Sequence, residues 1–420
     1  MKNSKKIFMS VLLTASLAMP TIGVSADTMS SNDGEKIRVY VEASNISTKS
    51  ELKEQFKVRW ELSENGFSTE MTDKQFVALQ KNKNVQVTKV QEVTLDTEVR
   101  ATQSQAAAAE YPTHQTPWGI KAIYNNSSQT TTSGGQGINI AVLDTGVYVD
   151  HYDLVNTIEQ CKNFTGSTTV INGSCNDGNG HGTHVAGSAL ADGGSDGAGI
   201  YGVAPQADLW AYKVLGDNGS GYSDDIAAAI RHTADQAVST GTKTVINMSL
   251  GSAANDSLIS SAVNYAYSKG VLIVAAAGNS GPNQGSIGYP GALVNAVAVA
   301  ALENVQQNGT YRVANFSSRG FASTDGDYVI QQGDIEISAP GAAIYSTWNN
   351  GGYNTISGTS MATPHVAGLA AKVWAQNPGW SHTQLRTDLQ NRAKKYDIKG
   401  GTGAAIGDDY ASGFGFARVN

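Results

Sequence analysis

Residues 118–420 predict a three-layer α/β fold, with a mainly parallel central sheet and helices on both faces. Residues 27–109 predict a small ferredoxin-like α+β sandwich. Three observations carry this. Beyond Trp118 short apolar strands alternate with helices, the pattern of a parallel sheet covered on both sides. Before residue 109 the hydrophobic period switches between 2 and 3.6 in the order β-α-β-β-α-β. Polar residues recur where the later strands run out, the edge on which such sheets bind ligands.

The chain of 420 residues is 40% hydrophobic and 15% charged, a globular composition with enough length for more than one folded unit. Residues 1–26 carry three lysines, the apolar run 7–19 and a small-residue end at Val24, Ser25 and Ala26. That is a secretory signal peptide, too short for a membrane anchor, so the mature protein is expected to be extracellular. In 27–109, residues 36–42 alternate as a strand and 49–56 form a helix. Residues 67–71 and 85–90 are strands around a second helix, 72–80, which Thr72 and Gln75 open with a capping box. Residues 98–110 are rich in Ala and Gln without periodicity, an exposed linker suited to proteolysis. A small domain between a signal peptide and a cleavable linker is most simply a pro-domain, leaving 110–420 as the main domain.

From there the strand 138–143 ends at Asp144, and a helix spans 181–190. A strand at 209–214, a helix at 224–239, a strand at 245–250 and a helix at 258–269 follow. Strands at 271–276 and 294–300 come next, then an apolar helix at 365–374. Ser360 falls at the loop-to-helix junction before that last helix, near its positive end, with Pro364 tolerated in the first turn. Asp144, His181, Asn279 and Ser360 each have a bland reading as a turn or cap residue. All four sit on strand ends or helix starts facing one edge of one sheet, which makes the bland readings jointly improbable.

Charge and cysteines narrow the partners. Residues 110–420 hold 15 Lys+Arg against 23 Asp+Glu, which disfavours nucleic acid or an anionic membrane and favours cations. Two cysteines, Cys161 and Cys175, are too few for a thiolate zinc site. In an oxidising compartment they predict a disulfide, giving about 3 kcal/mol through loop closure.

The segments 140–146 (IAVLDTG), 181–187 (HGTHVAG) and 358–364 (GTSMATP) resemble the three signature segments of the subtilases, in the order Asp, His, Ser. The likeness runs from about residue 118 to the C-terminus. Residues 65–75 (NGFSTEMTDKQ) resemble the family's inhibitor-like propeptide, and the loops look closest to secreted cold-active bacterial subtilisins. The resemblance implies a subtilisin-like fold and a monomeric serine endopeptidase acting on proteins and peptides. Ser360 would be the nucleophile, His181 its base, Asp144 the orienting carboxylate and Asn279 an oxyanion donor. The propeptide would act as intramolecular chaperone and inhibitor, cut autocatalytically between residues 100 and 112. Gly219, Ser220 and Gly221, with Ser249, Leu250 and Gly251, match the two edges that sandwich the substrate strand. Ala276, Gly278 and Gly288 match the first specificity pocket, whose small residues admit a large apolar or aromatic side chain. Tyr289 and Pro290 match a cis peptide of the family. Gln115, Asp153 and Asp196, with the carbonyls of Ala198 and Ile200, match a calcium site. Here the loop 192–199 is longer than usual and Gln115 sits one residue off, so Asp192 can join or replace Asp196. Asp325, Asp327, Asp397, Asp408 and Asp409 read mostly as solvated surface acids. The content of 46 Gly and 9 Pro fits a labile, cold-active chain.

Three other readings stand beside this one. An ester hydrolase would want a G-x-S-x-G elbow, and residue 362 is Ala. A metallohydrolase using His181 and His184 lacks the Glu and spacing of H-E-x-x-H, so His184 reads as structural. A non-catalytic binding module on the same scaffold would normally lack a triad member, and none is missing.

Overall fold

The computed structural model describes residues 34–95, 112–166 and 169–420. The signal peptide, both expected domain boundaries and the whole linker lie outside the described residues. The N-terminal unit runs β1 (Lys36–Ala43), α1 (Ile46–Gln55), β2 (Val58–Glu61), β3 (Gly66–Thr72), α2 (Asp73–Leu79) and β4 (Val85–Lys89), then a short β5 (Glu92–Thr94). Its four-stranded antiparallel sheet has the order β2-β3-β1-β4, the ferredoxin-like sandwich read from the pattern. The capping box is present, Thr72 accepting from the Gln75 N–H while the Gln75 side chain accepts from the Thr72 N–H. Helix α1 starts three residues earlier than the pattern indicates, because Asn45 caps it by accepting from the Thr48 N–H.

The larger unit begins with α3 (Trp118–Ile123), β6 (Ile138–Asp144), β7 (Ile158–Asn163), β8 (Ile171–Asn172) and α4 (His181–Leu190). Next come β9 (Asp208–Lys213), β10 (Ser220–Tyr222), α5 (Ser223–Thr240), β11 (Lys243–Met248), α6 (Ser257–Ser268) and β12 (Leu272–Ala276). Then follow β13 (Val297–Gln307), β14 (Thr310–Val313), β15 (Ile337–Pro340), β16 (Ile344–Thr347), β17 (Tyr353–Ile356), α7 (Thr359–Gln376) and α8 (His382–Lys394). The central sheet has the order β14-β13-β12-β11-β6-β9-β7-β8, with β15 beside β13. Its inner pairs are all parallel, and only β14 and β8 run against their neighbours. Alternation along β6 feeds two cores: Ile140 and Val142 pack with α4 and α7, while Ala141 and Leu143 pack with α5 and α6. Cys161 and Cys175 are joined by a disulfide. Among the described residues no helix is long and apolar enough to cross a membrane.

The last helix corrects the sequence reading. It starts at Thr359 with Gly358 as N-cap, so Ser360 is its second residue and Pro364 lies inside it, not in its first turn. A proline there cannot donate to the carbonyl four residues back. That carbonyl belongs to Ser360, and it accepts instead from the Ser249 hydroxyl at 2.8 Å. A side chain from β11's exit thus replaces the missing rung of the helix.

The N-terminal unit lies on the α5–α6 side, where Trp60, Leu62 and Val93 enter the same core as α5 and α6. Strand β5 pairs antiparallel with β10, Thr94 opposite Ser220, Val93 opposite Gly221 and Glu92 opposite Tyr222. Thr94 also bridges to Gly251, and the Leu95 N–H donates to the Gly219 carbonyl at 2.9 Å. A strand of the N-terminal unit is therefore clamped between 219–222 and Gly251. At the centre of that strand the apolar, β-prone Val93 is 2% exposed.

Candidate active site

Strands β6, β11 and β12 are parallel neighbours, so Asp144, Ser249 and Asn279 leave the sheet at one edge. Helix α4 packs along α7, and His181 and Ser360 sit at the starts of these two helices. Asp144 is fully buried, and its Oδ1 lies 2.7 Å from His181 Nδ1 and accepts from the Thr145 N–H at 2.7 Å. Its Oδ2 has no hydrogen-bond partner. Close approach of α4 to Asp144 requires Gly182: a Cβ there would lie 3.1 Å from Asp144 Oδ1 and would strike the Gly146 carbonyl.

Ser360 is buried, and its hydroxyl donates to the Ser249 carbonyl at 3.1 Å. Asn279 Oδ1 accepts from the Thr359 N–H at 2.9 Å and from the Thr359 hydroxyl at 3.1 Å. With its oxygen so engaged, the Asn279 amide NH2 points away from Thr359.

Asp177, which opens the stretch DGNG at 177–180, has no place among the residues expected from the sequence. Its buried carboxylate accepts from the hydroxyls of Thr145 and Thr183 and from the N–H groups of Asn179, Gly180 and Thr183. It thereby fixes the loop that delivers His181. An Asp two and three residues before the N–H groups that donate to it forms an Asx turn, the signal that was there to find.

His184 is structural, as its spacing indicated: Nε2 lies 2.9 Å from the Ile344 carbonyl, and burial pushes its pKa down to about 3. Burial likewise pushes His365 down to about 4, and both rings stay neutral beside the site.

Of the six expected groove residues, Gly219, Ser220 and Gly221 flank β5 on one side and Gly251 on the other. Around the expected pocket, Gly288 donates to the Ala277 carbonyl at 2.9 Å and Gly278 to the Thr359 hydroxyl at 3.1 Å. Ala276, Gly278 and Gly288 therefore stand together beside Ser360's helix. The Tyr289–Pro290 bond is cis.

The expected cation ligands also come together. Asp153, fully buried, accepts on Oδ2 from the Ile200 N–H and the Tyr353 hydroxyl, while its Oδ1 has no partner. Burial first, then the charges of Asp192 and Asp196, push its pKa up to about 6. The Gln115 amide donates to the Gly197 carbonyl at 2.6 Å, and Asp196 accepts from the Ala198 N–H. Asp192 is taken up by Gly194 and Asn156. Among the described residues no three His, Cys, Asp or Glu side chains cluster as a metal site, so a cation here would rely on carbonyl and amide oxygens, as calcium does.

A family model described as the Subtilase family matches residues 135–415. A curated relative named Subtilisin, from Bacillus sp. (strain TA39), is 64% identical over 423 residues and covers 100% of both chains. Subtilisin Savinase of Lederbergia lenta is 42% identical over 279 residues, 66% of this chain and 91% of its own. Among solved structures, Sphericase superposes with a TM-score of 0.73 at 80% identity, over 73% of this chain and 99% of its own. The S41 Psychrophilic Protease gives 0.72 at 70% identity with the same coverage.

Proposed function

This chain belongs to the subtilase family and is a subtilisin-type serine endopeptidase; from that premise we propose that Asp144, His181 and Ser360 form its triad and that it is secreted and matures itself. The buried 2.7 Å contact between Asp144 and His181 carries this reading. In the proposed reaction Ser360 Oγ attacks the scissile carbonyl as His181 Nε2 takes its proton. Asp144 holds the imidazole tautomer and stabilises the imidazolium. The oxyanion is met by the Asn279 amide and the Ser360 N–H. His181 then protonates the leaving amine, and water hydrolyses the acyl-enzyme by the same path in reverse. A sulfonyl fluoride should abolish peptide hydrolysis, and a zinc-selective chelator should not; the opposite pattern would sink the proposal.

Asn279→Ala is expected to lower kcat by about 10²–10³, with KM little changed. That magnitude was measured on the matching donor of a subtilisin. A fall in kcat/KM carried by KM alone would remove Asn279 from the oxyanion site.

Substrate is proposed to lie where β5 lies, between 219–222 and 249–251, with a large apolar or aromatic side chain entering beside Ala276, Gly278 and Gly288. Removal of the N-terminal unit fits the solved relatives, which match 73% of this chain while being covered almost completely. Calcium is proposed at Gln115, Asp153, Asp196 and the carbonyls of Ala198 and Ile200. The partnerless buried oxygen of Asp153 fits such an ion, which would cross-link the 192–200 loop to the body. Calcium at about 100 times its Kd should add about 2.7 kcal/mol to stability. Equal thermal inactivation rates in excess calcium and in chelator would exclude the site.

A further inference from the structure

The Arg38 guanidinium of the N-terminal unit does not end in solvent. Its Nη1 lies 3.0 Å from Asp224 Oδ1 and 2.7 Å from Asp225 Oδ2, and its carbon sits 4.0 Å above the centre of the Tyr222 ring. Asp225 Oδ1 also accepts from Trp60 Nε1 at 2.7 Å and from Arg59 Nη2 at 3.3 Å. Every one of these donors belongs to the part of the chain whose removal is proposed above. Asp224, Asp225 and Tyr222 belong to the part that stays.

The position of this acidic pair matters more than its charge. Tyr222 is the last residue of β10 and pairs with Glu92 of the clamped strand. The next N–H, of Ser223, donates to the Gln91 carbonyl at 2.9 Å. A peptide lying as β5 lies therefore carries its upstream residues, in the places of Gln91 and Val90, past the carboxylates at the start of α5. Two further observations show that the carboxylates suit a cation. A guanidinium already occupies the spot, with ion pairs on one side and an aromatic face on the other, the arrangement that favours Arg over Lys. Asp224 is fully buried, yet its Oδ2 has no hydrogen bond, the nearest cation being Arg59 Nε at 3.7 Å. Burial, and then the neighbouring Asp224, raise the Asp225 carboxyl while Arg38 pulls it down, and departure of the N-terminal unit would strip the pair of both Arg38 and Arg59.

We propose that, once the N-terminal unit has left, Asp224, Asp225 and Tyr222 form a subsite of the substrate groove that takes an arginine side chain on the N-terminal side of the cleaved bond. This rests on the reading of the chain as a self-maturing protease whose substrates replace β5. The propeptide would then be held partly by filling, with Arg38, a specificity site of the enzyme it inhibits. Tyr222, which is 39% exposed, would supply the ring face, and the two carboxylates the charge.

The test uses enzyme obtained by expressing the full chain, and peptides of one sequence with a single cleavable bond. A single Arg is moved through successive positions upstream of that bond, with Gln as the reference residue at each. One position, or two adjacent ones, should raise kcat/KM by about tenfold, which is about 1.4 kcal/mol, mostly through KM. In Asp224→Asn/Asp225→Asn enzyme the Arg/Gln ratio should fall to about 1. If that variant fails to accumulate, the unaltered enzyme still decides, because the preference should shrink as ionic strength rises. No position above about twofold, a ratio that survives both substitutions, or a ratio indifferent to salt would each overturn the subsite. If no peptide is cut, the Gln series included, it is the protease reading that falls, and the subsite falls with it.

Discussion

Ser360→Ala should emerge from a protease-free host as an uncut precursor carrying the N-terminal unit, folded and without measurable peptidase activity. The expectation follows from tying processing to the same hydroxyl as catalysis. A strand of the N-terminal unit already lies between 219–222 and Gly251, so the first peptide offered to the site is the chain's own. Alanine removes the nucleophile and its donation to the Ser249 carbonyl but leaves the Ser360 carbonyl to accept from Ser249, so the start of α7 should keep its geometry. The loss in kcat should be about 10⁶, the figure measured for the same kind of substitution in a subtilisin. Intact mass decides the matter. A precursor already cut near residue 96 or near residue 110 would assign maturation to another enzyme. A correctly matured but inactive product would do the same.

Arg386→Met should lower stability by about 3–5 kcal/mol, the usual consequence of leaving a buried charge without its partner. Glu336 is fully buried, and both its oxygens are engaged by Arg386, at 2.9 Å and 2.6 Å, while Gln390 adds one bond at 2.7 Å. Arg386 further donates to the carbonyls of Val294 and Ala296, so one guanidinium pins α8 to the loop entering β13 and to the residue before β15. In the single variant Glu336 would retain only Gln390. Replacing both partners, as Arg386→Met/Glu336→Leu, should recover most of the loss, because the uncompensated charge goes too. The measurement is best made on a Ser360→Ala background, where self-digestion cannot contribute. A single-variant loss below about 1 kcal/mol, or a double variant worse than the single, would refute this account.

Much of the fold and most of the proposed site could be read from local sequence, and the failures share a cause. The capping box at Thr72 and Gln75, the helix His181–Leu190 and the strand ending at Asp144 all depend on residues within a few positions of one another, which is what periodicity and cap rules detect. The start of α7 is not legible locally, because Pro364 reads as a first-turn proline and the donor that satisfies Ser360's carbonyl, the Ser249 hydroxyl, is distant in sequence. Asp177 is only partly legible: four of its five donors lie in the adjacent stretch 179–183, but the fifth, the Thr145 hydroxyl, comes from 32 residues away. Strand β5 is three residues long and finds its partner at Ser220–Tyr222, with nothing in its own composition to name that partner. The contacts of Arg38 with Asp224 and Asp225 span 186 and 187 residues. Such long-range pairings are set by the packing of two folded units, not by any local pattern.

Helix α7 passes through the middle of the molecule. From Thr359 to Trp374 every residue is buried, and it touches α4 as well as β6, β11, β12, β13 and β15. The serine proposed as nucleophile is thus carried on the element with least freedom to open on its own. In hydrogen-exchange terms the amides of this helix should belong to the slowest class, exchanging only through whole-domain unfolding. Fraying of the surface loops can then loosen the calcium-site loop or the groove rim without disturbing the nucleophile's mount. The nucleophile's mount and the cooperative core of this protein would share one lifetime, so heat should displace Ser360 only when the whole domain unfolds.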